Sequence, residues 1–176
     1  MIILGIDPGT ATTGYGVIKK VSYPKLKTKN HFRCLNYGLI QTHPSSPTPE
    51  RLKKINNELS RLIKKHQPDA LAVEKVYFFK NLKTAIPVSQ AEGVILLTAA
   101  KNKIPVYEFT PLQVKLAITK FGWAEKELVQ KKIKTLLRLK EAPKSDDAAD
   151  ALAIALTYFL KENLPSKTPK NLIGKA

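Results

Sequence analysis

The chain has 176 residues, 43% of them hydrophobic, which is enough for one domain with a sizeable core and too short for two comfortable ones. Thirty lysines and arginines against 14 acidic residues give a net charge of +16, and this excess suits a polyanionic partner, with nucleic acid as the first candidate. The plainer alternative is a solvated lysine-rich surface without such a partner.

Cysteine and histidine content excludes a disulfide framework and a thiolate zinc site. Cys34 is the only cysteine, and the three histidines show no metal-ligand spacing. The first apolar run is broken at Asp7, and Gly93 to Ala100 is far shorter than the about 20 residues that a membrane span needs. We therefore expect no signal peptide, no membrane partner and a reducing cytoplasm as the location.

The chain opens on an apolar run, Met1 to Thr10, that ends in one carboxylate and a tight Pro-Gly turn. Short β-branched runs bounded by glycine and proline are typical of buried strands. A charge closing such a strand is costly unless it is paired, so Asp7 is expected to need a partner such as a cation. Alternatively, Asp7 caps the turn through nearby backbone N–H groups.

Two more strands are predicted over Thr12 to Lys19 and Arg33 to Thr42, joined by a basic loop at 25–30. Strands joined so locally predict an antiparallel meander, because parallel neighbours need a crossover helix that these links cannot hold. Prolines then break the chain, and apolar residues recur at helical spacing from Leu52 to His66, which predicts an amphipathic helix.

The second half alternates strands with helices. Ala70 to Val76 is an apolar strand that, like the first, meets a carboxylate at its end, Glu74. The later elements are a helix around Val88 to Lys103 with Pro87 in its first turn, a strand over Pro105 to Phe109, a helix starting at Thr110-Pro111, a helix over Trp123 to Leu139 and a last helix over Asp146 to Leu160 with Ser145 as its N-cap. We expect one domain over residues 1–160 and a basic, disordered tail over 161–176.

Four acidic residues fall where this sheet would bring them together. If the first and fourth strands are parallel neighbours, their carboxyl ends coincide and Asp7 faces Glu74. Asp147 and Asp150 share one face of the last helix and can close the cluster. Clustered carboxylates repel one another and therefore raise their pKa values or bind a divalent cation, and oxygen ligands alone favour Mg²⁺ or Mn²⁺. A pair of such ions is suited to phosphodiester cleavage.

Each acid also has a plainer alternative. Asp147 and Asp150 can simply complement the helix dipole, and Glu74 can be a surface acid at a strand end. Asp146 lies four residues before Asp150 and can take the place of Asp147.

An aromatic run follows the second acid directly. Tyr77, Phe78 and Phe79, flanked by Lys75, Lys80 and Lys83, suit the stacking of unpaired bases beside phosphates. The alternative is a core or dimer patch.

Motifs along most of the chain resemble the RuvC family of Holliday-junction resolvases, from about Met1 to Phe159. The motifs are Gly5 to Thr10 with Thr13 to Gly16, Val73 to Tyr77 and Asp147 to Ala153, with Gln113 to Lys115 and Ala124 to Lys126 as further family-like segments. The resemblance implies an α/β, RNase H-like fold with a mixed five-stranded sheet, three antiparallel strands and then two parallel, flanked by helices. It also implies a homodimer that makes paired nicks in four-way junction DNA, with a RuvA/RuvB-type branch-migration complex as a further partner.

The resemblance also implies roles for single residues. Asp7, Glu74, Asp147 and Asp150 would be catalytic carboxylates that hold Mg²⁺, with two ions per site and Mn²⁺ as a substitute. Lys126 would serve the catalytic centre and Lys115 the DNA backbone, while Tyr77 stands where the family has a junction-stacking aromatic. Glu92 is a departure, because family members often carry arginine there; this leaves the preferred cleavage sequence open.

Three rival functions remain possible from the sequence. The Asp-Pro-Gly-Thr turn also resembles the first phosphate loop of actin-like and sugar-kinase ATPases, but that fold needs a duplicated half and further glycine-rich loops. Compact RNase H-like nucleases of ribosomal RNA maturation share the first motif. A non-catalytic junction-binding module is the third, and the full set of four acids argues against it.

Overall fold

The computed structural model describes residues 1–21, 31–75 and 82–161, with the backbone alone for 82–84. The strands are β1 (Ile2–Asp7), β2 (Thr12–Val21), β3 (His31–Gln41), β4 (Ala70–Glu74) and β5 (Val106–Phe109). They form one sheet in the order β3-β2-β1-β4-β5. The first three strands pair antiparallel, and β1, β4 and β5 pair parallel, which confirms the predicted mixed sheet.

Helices cover both faces of this sheet. They are α1 (Thr48–His66), α2 (Leu82–Lys101), α3 (Pro111–Thr119), α4 (Lys126–Leu137) and α5 (Asp146–Leu160). Buried residues of α1 and α2 form one core cluster with Leu4 and Ile6 of β1. Buried residues of α3, α4 and α5 form a second core cluster with Ile3 of β1. Within the part of the chain that the structure describes, none of the helices is long and apolar enough to cross a membrane.

Side chains along the central strands point alternately to the two faces of the sheet, and this decides on which face the strand-end acids lie. Ile3 lies in the core beneath α5, and Leu4 lies in the opposite core. Successive strand residues point to opposite faces, so Asp7, an even number of residues after Ile3, points to the α5 face. Ala72 belongs to the α5 core, which by the same alternation assigns Glu74 to that face. Both acids therefore face the helix that carries the other two.

Two predicted helix starts were wrong. Helix α2 begins at Leu82, so Pro87 lies inside it rather than in its first turn. The proline has no N–H to donate to the preceding turn, and its ring crowds the carbonyl four residues earlier. The Thr10 hydroxyl donates to the Pro87 carbonyl. Helix α4 begins at Lys126 rather than Trp123, because Glu125, its N-cap, has an extended backbone with φ −70° and ψ 159°.

Other predictions are met or lie outside the described residues. Helix α5 has the predicted bounds, and Ser145 is its N-cap residue, although the Ser145 side chain makes no capping hydrogen bond. The basic loop at 25–30 and the tail from residue 162 lie outside the described residues. The division into a domain over 1–160 and a tail over 161–176 therefore stays a prediction.

Candidate active site

Asp7 and Glu74 lie side by side at the carboxyl ends of two parallel strands. Ile6 of β1 pairs with Val73 of β4, and each acid follows immediately. Glu74 is in turn the register partner of Phe109 at the end of β5. The carboxyl ends of parallel strands share one edge of the sheet, so the predicted meeting of the two acids is confirmed.

Helix α5 reaches this edge because glycines lie beneath it. Gly14 of β2 is the register partner of Asp7, and a Cβ atom at Gly14 would lie 2.0 Å from the carbonyl oxygen of Asp147. A Cβ at Gly5 would similarly lie 2.1 Å from the carbonyl oxygen of Ala151. Only glycine allows so close an approach of helix to strand, and this contact brings Asp147 and Asp150 to the acids of the sheet.

The pKa of Asp7 shows that the four acids act on one another. Burial, followed by the charges of Glu74, Asp150 and Asp147, raises it from 3.8 to about 8, although Lys126 opposes the shift. Burial and then Asp150 also raise the pKa of Glu74 to about 7, although Lys115 and Lys126 oppose the shift. The site therefore disfavours ionised carboxylates unless a positive charge joins them.

Lys126, at the first turn of α4, supplies one such charge. Its Nζ lies 3.3 Å from Oδ2 of Asp150 and 3.2 Å from Oδ2 of Asp146. Burial alone would lower the pKa of Lys126, but the two carboxylates outweigh it and raise that pKa. Burial raises the pKa of Asp150, although Lys126 opposes the shift. Lys126 is therefore a charged part of the cluster.

Asp146 and Asp147 face different neighbours. Asp146 pairs with Lys126 and accepts a hydrogen bond of 2.9 Å from Nε2 of Gln130, both on α4. Asp147 lies against Gly14, and its charge contributes to the raised pKa of Asp7. The geometry thus favours Asp147, not Asp146, as the acid that faces the sheet.

The predicted DNA-contacting residues are only partly within the described residues. The charge of Lys115, on α3, acts on the Glu74 carboxylate, and Lys75 is exposed while its backbone N–H donates to the Phe109 carbonyl at 2.9 Å. The remaining residues lie outside the described residues, namely Tyr77, Phe78 and Lys80, together with the side chain of Lys83. The DNA roles of all six stay predictions.

The donor set suits a hard divalent cation, since all four groups are carboxylates. Among residues 1–21, 31–75 and 85–161, however, no three acidic, histidine or cysteine side chains are grouped so that they could hold a metal ion as they stand. The acids therefore form an open cluster, and binding a cation requires their side chains to draw together around it.

Sheet order and flanking helices together place the molecule in the RNase H-like class. The family model described as crossover junction endodeoxyribonuclease RuvC matches residues 3–158. The chain belongs to the RuvC family, as its motifs indicated. This membership sets aside the ATPase and ribosomal-RNA-maturation families as rivals.

Individual relatives agree with this assignment. The crossover junction endodeoxyribonuclease RuvC of Desulforamulus reducens is 50% identical over 158 residues, covering 90% of this chain and 93% of that protein. The structure of Thermus thermophilus RuvC is similar with a TM-score of 0.86 at 35% identity, covering 98% of this chain and 100% of that one. The structure of the same protein in complex with Holliday junction substrate gives a TM-score of 0.84 at 35% identity, covering 93% of this chain and 96% of that one.

Proposed function

We propose that this chain is a structure-selective endonuclease that resolves four-way DNA junctions by paired, symmetric nicks during homologous recombination and DNA repair. The convergence of Asp7, Glu74, Asp147 and Asp150 at one edge of a strongly basic protein carries this proposal. A similar protein has been solved with Holliday junction substrate, which supports the choice of substrate.

The four acids are the groups that would hold Mg²⁺, or Mn²⁺ in its place, with two ions per site. Such ions activate a water molecule and stabilise the leaving oxygen of a phosphodiester. Because the Asp7 pKa is raised to about 8, this carboxyl group keeps its proton near neutral pH in the metal-free protein, and a cation held there would release that proton.

Two lysines complete the proposed site. Lys126 stays cationic because its carboxylate neighbours raise its pKa, and it borders the cluster at Asp150, where it can stabilise negative charge that develops on the phosphate. Lys115 acts on Glu74 from α3 and would contact the DNA backbone.

A homodimer fits a substrate with near two-fold symmetry, since one site per subunit reaches one strand of each opposed pair. Helix α2 offers a surface for this contact. Ile86 and Leu97, 68% and 55% exposed, lie eleven residues apart on one face of α2, with the exposed Gln90 and Gly93 between them. A second copy of the same helix would cover both of these exposed apolar side chains.

Further partners follow from the family resemblance. A RuvA/RuvB-type branch-migration complex and a cytoplasmic location remain predictions. Binding through many lysines also predicts that junction affinity falls steeply with salt.

The proposal is tested with purified protein and three substrates: a synthetic four-way DNA junction, a linear duplex of the same sequence and a structured RNA. In Mg²⁺, paired nicks that DNA ligase reseals should appear in opposed strands of the junction, and EDTA should abolish them. Equal cutting of the duplex or of the RNA would contradict the proposed substrate. Binding without any cutting would indicate a junction-binding module instead of a nuclease.

A further inference from the structure

The turn between α3 and α4 exposes an unusual amount of apolar surface. Trp123 is 80% exposed, Phe121 57% and Leu112 50%. The three lie near one another, because Gly122 lies between the two aromatic residues and a Cβ atom there would come within 2.8 Å of Cδ1 of Leu112; we call them the patch. Isolated exposed apolar residues are ordinary, but neighbouring ones that include the only tryptophan of the chain indicate a contact surface.

This patch borders the acid cluster from two directions. Trp123 lies three residues before Lys126, whose Nζ is 3.3 Å from Asp150. Leu112 lies three residues after Phe109, the register partner of Glu74. A polynucleotide strand that places a phosphate at the acids can therefore continue across this turn.

The turn that presents Trp123 is held by its own hydrogen bonds. The Thr119 hydroxyl donates to the Phe121 carbonyl at 2.8 Å and accepts from the Phe121 N–H at 3.1 Å. The N–H of Ala124 donates to the Phe121 carbonyl at 3.2 Å, and the Ala124 side chain is buried. These bonds hold the backbone on either side of Trp123, so little backbone entropy is lost when Trp123 binds a flat partner.

The surrounding charges favour a nucleotide as that partner. Lys120 lies in the same turn, and Lys126 and Lys115 lie on the two adjoining helices, so phosphates of a strand crossing the patch would meet positive charge. Glu125 is exposed on this turn as well, but stacking on the face of Trp123 does not depend on its charge.

We propose that Trp123, supported by Phe121 and Leu112, is a stacking platform for a base of the DNA strand next to the cleaved phosphate. This inference rests on the proposed junction-cleaving function and adds a contact on the α3–α4 turn, a different element from the predicted aromatic contact at Tyr77. Aromatic stacking is tolerant of sequence, so the platform would position the strand without selecting a particular base.

Fluorescence of the single tryptophan tests the contact directly. The Asp7→Asn protein, expected to bind but not cut, is titrated with a four-way junction in Mg²⁺. Tryptophan emission should be quenched in step with the anisotropy of a labelled junction. The Trp123→Phe form of the same protein has no tryptophan and supplies the blank. Emission that stays constant while the junction binds would overturn the platform.

A substitution series gives a second readout. Because stacking on an aromatic side chain contributes a factor of about 5 to 150 in affinity, Trp123→Ala should weaken junction binding by that factor, while Trp123→Phe should restore most of it. Leu35→Ala, at another exposed apolar position, should leave affinity unchanged. Unchanged junction affinity in Trp123→Ala, or a loss of self-association without a loss of affinity, would overturn the platform.

Failure of this inference can be distinguished from failure of the proposed function. If the unsubstituted protein neither binds nor cuts four-way junctions, the proposed function itself is wrong. If it cuts them while Trp123 emission and the Trp123→Ala affinity stay unchanged, only the stacking platform is wrong.

Discussion

Gly14 lies opposite Asp7 in the antiparallel ladder of β1 and β2, and it is also the point where the start of α5 rests on the sheet. The carbonyl oxygen of Asp147 lies where a side chain at Gly14 would begin. The missing side chain therefore sets the distance between the acid of the first strand and the acids of the last helix.

Replacing this glycine should harm both stability and cleavage. In Gly14→Ala the new methyl group would lie 2.0 Å from the Asp147 carbonyl oxygen, so α5 must shift. Overpacking of this kind costs about 1–3 kcal/mol, and the shift also moves Asp147 away from Asp7. Thermal unfolding and the junction cleavage rate measure the two effects.

Gly38→Ala is the matched control for this glycine. A Cβ at Gly38 meets the tip of the Tyr15 ring, with the hydroxyl oxygen at 2.8 Å, and a side-chain tip can move where a helix backbone cannot. This variant should stay close to the parent in both assays. Equal effects of the two substitutions would contradict the role given to Gly14.

Adjacent aspartates at the start of α5 should differ in function. Asp147→Asn should lower the cleavage rate by about a hundredfold or more, since even groups that only support a metal ligand cost 10–100-fold. Asp146→Asn should retain most activity, because Asp146 is held by Lys126 and Gln130 of α4. Single-turnover cleavage of a four-way junction measures the rates of both variants. A greater loss of rate in Asp146→Asn than in Asp147→Asn would show that Asp146 takes the place of Asp147.

Stability of the metal-free protein should depend on pH through Asp7. Its pKa rises from 3.8 to about 8 on folding, so between these pH values the folded state holds a proton that the unfolded state has released. The free energy of unfolding therefore falls as pH rises through this range, because the unfolded state gives up the proton more readily than the folded state. Glu74, with its pKa raised to about 7, acts in the same direction.

Comparison with Asp7→Asn isolates this effect from the many other ionisable groups. In EDTA, the melting temperature of Asp7→Asn relative to the parent should increase as pH is raised from about 5 to about 8. Added Mg²⁺ should reduce the difference at the higher pH. A melting-temperature difference that does not change with pH would contradict the burial of Asp7 among the other acids.

The proposed dimer contact on α2 can be tested by placing charge at one of its two exposed apolar residues. Leu97→Glu should shift the protein toward monomer, because two copies of the new carboxylate would meet across a two-fold axis. Light scattering after size exclusion measures the mass. Leu35→Glu adds the same charge to an exposed leucine of β3 and should leave the mass unchanged. A Leu97→Glu protein with the mass of the parent would place the dimer contact elsewhere.

The sequence was sufficient to predict the sheet and the two strand-end acids. Apolar runs that close on Asp7 and Glu74 identify β1 and β4, and the short links between the first strands leave an antiparallel meander as the simplest arrangement. With these strands parallel and adjacent, the meeting of the two acids follows from topology alone.

Other features depend on contacts between distant segments. A glycine in a strand shows no sign of the helix that will lie above it, so the role of Gly14 became visible only with α5 in place. The choice between Asp146 and Asp147 depends on side chains of α4. Apolar residues at helical spacing predict a helix from Trp123, whereas the extended backbone at Glu125 delays the start of α4.

The most direct test compares DNA binding with cleavage when one strand-end acid is neutralised. Asp7→Asn and Glu74→Gln each remove one carboxyl group from the cluster and leave the basic surface intact, so both variants should bind a four-way junction nearly as tightly as the parent. In Mg²⁺ the parent should make paired nicks, and neither variant should cut. Nicking by either variant at a rate close to that of the parent would contradict the central claim that these acids form one catalytic site.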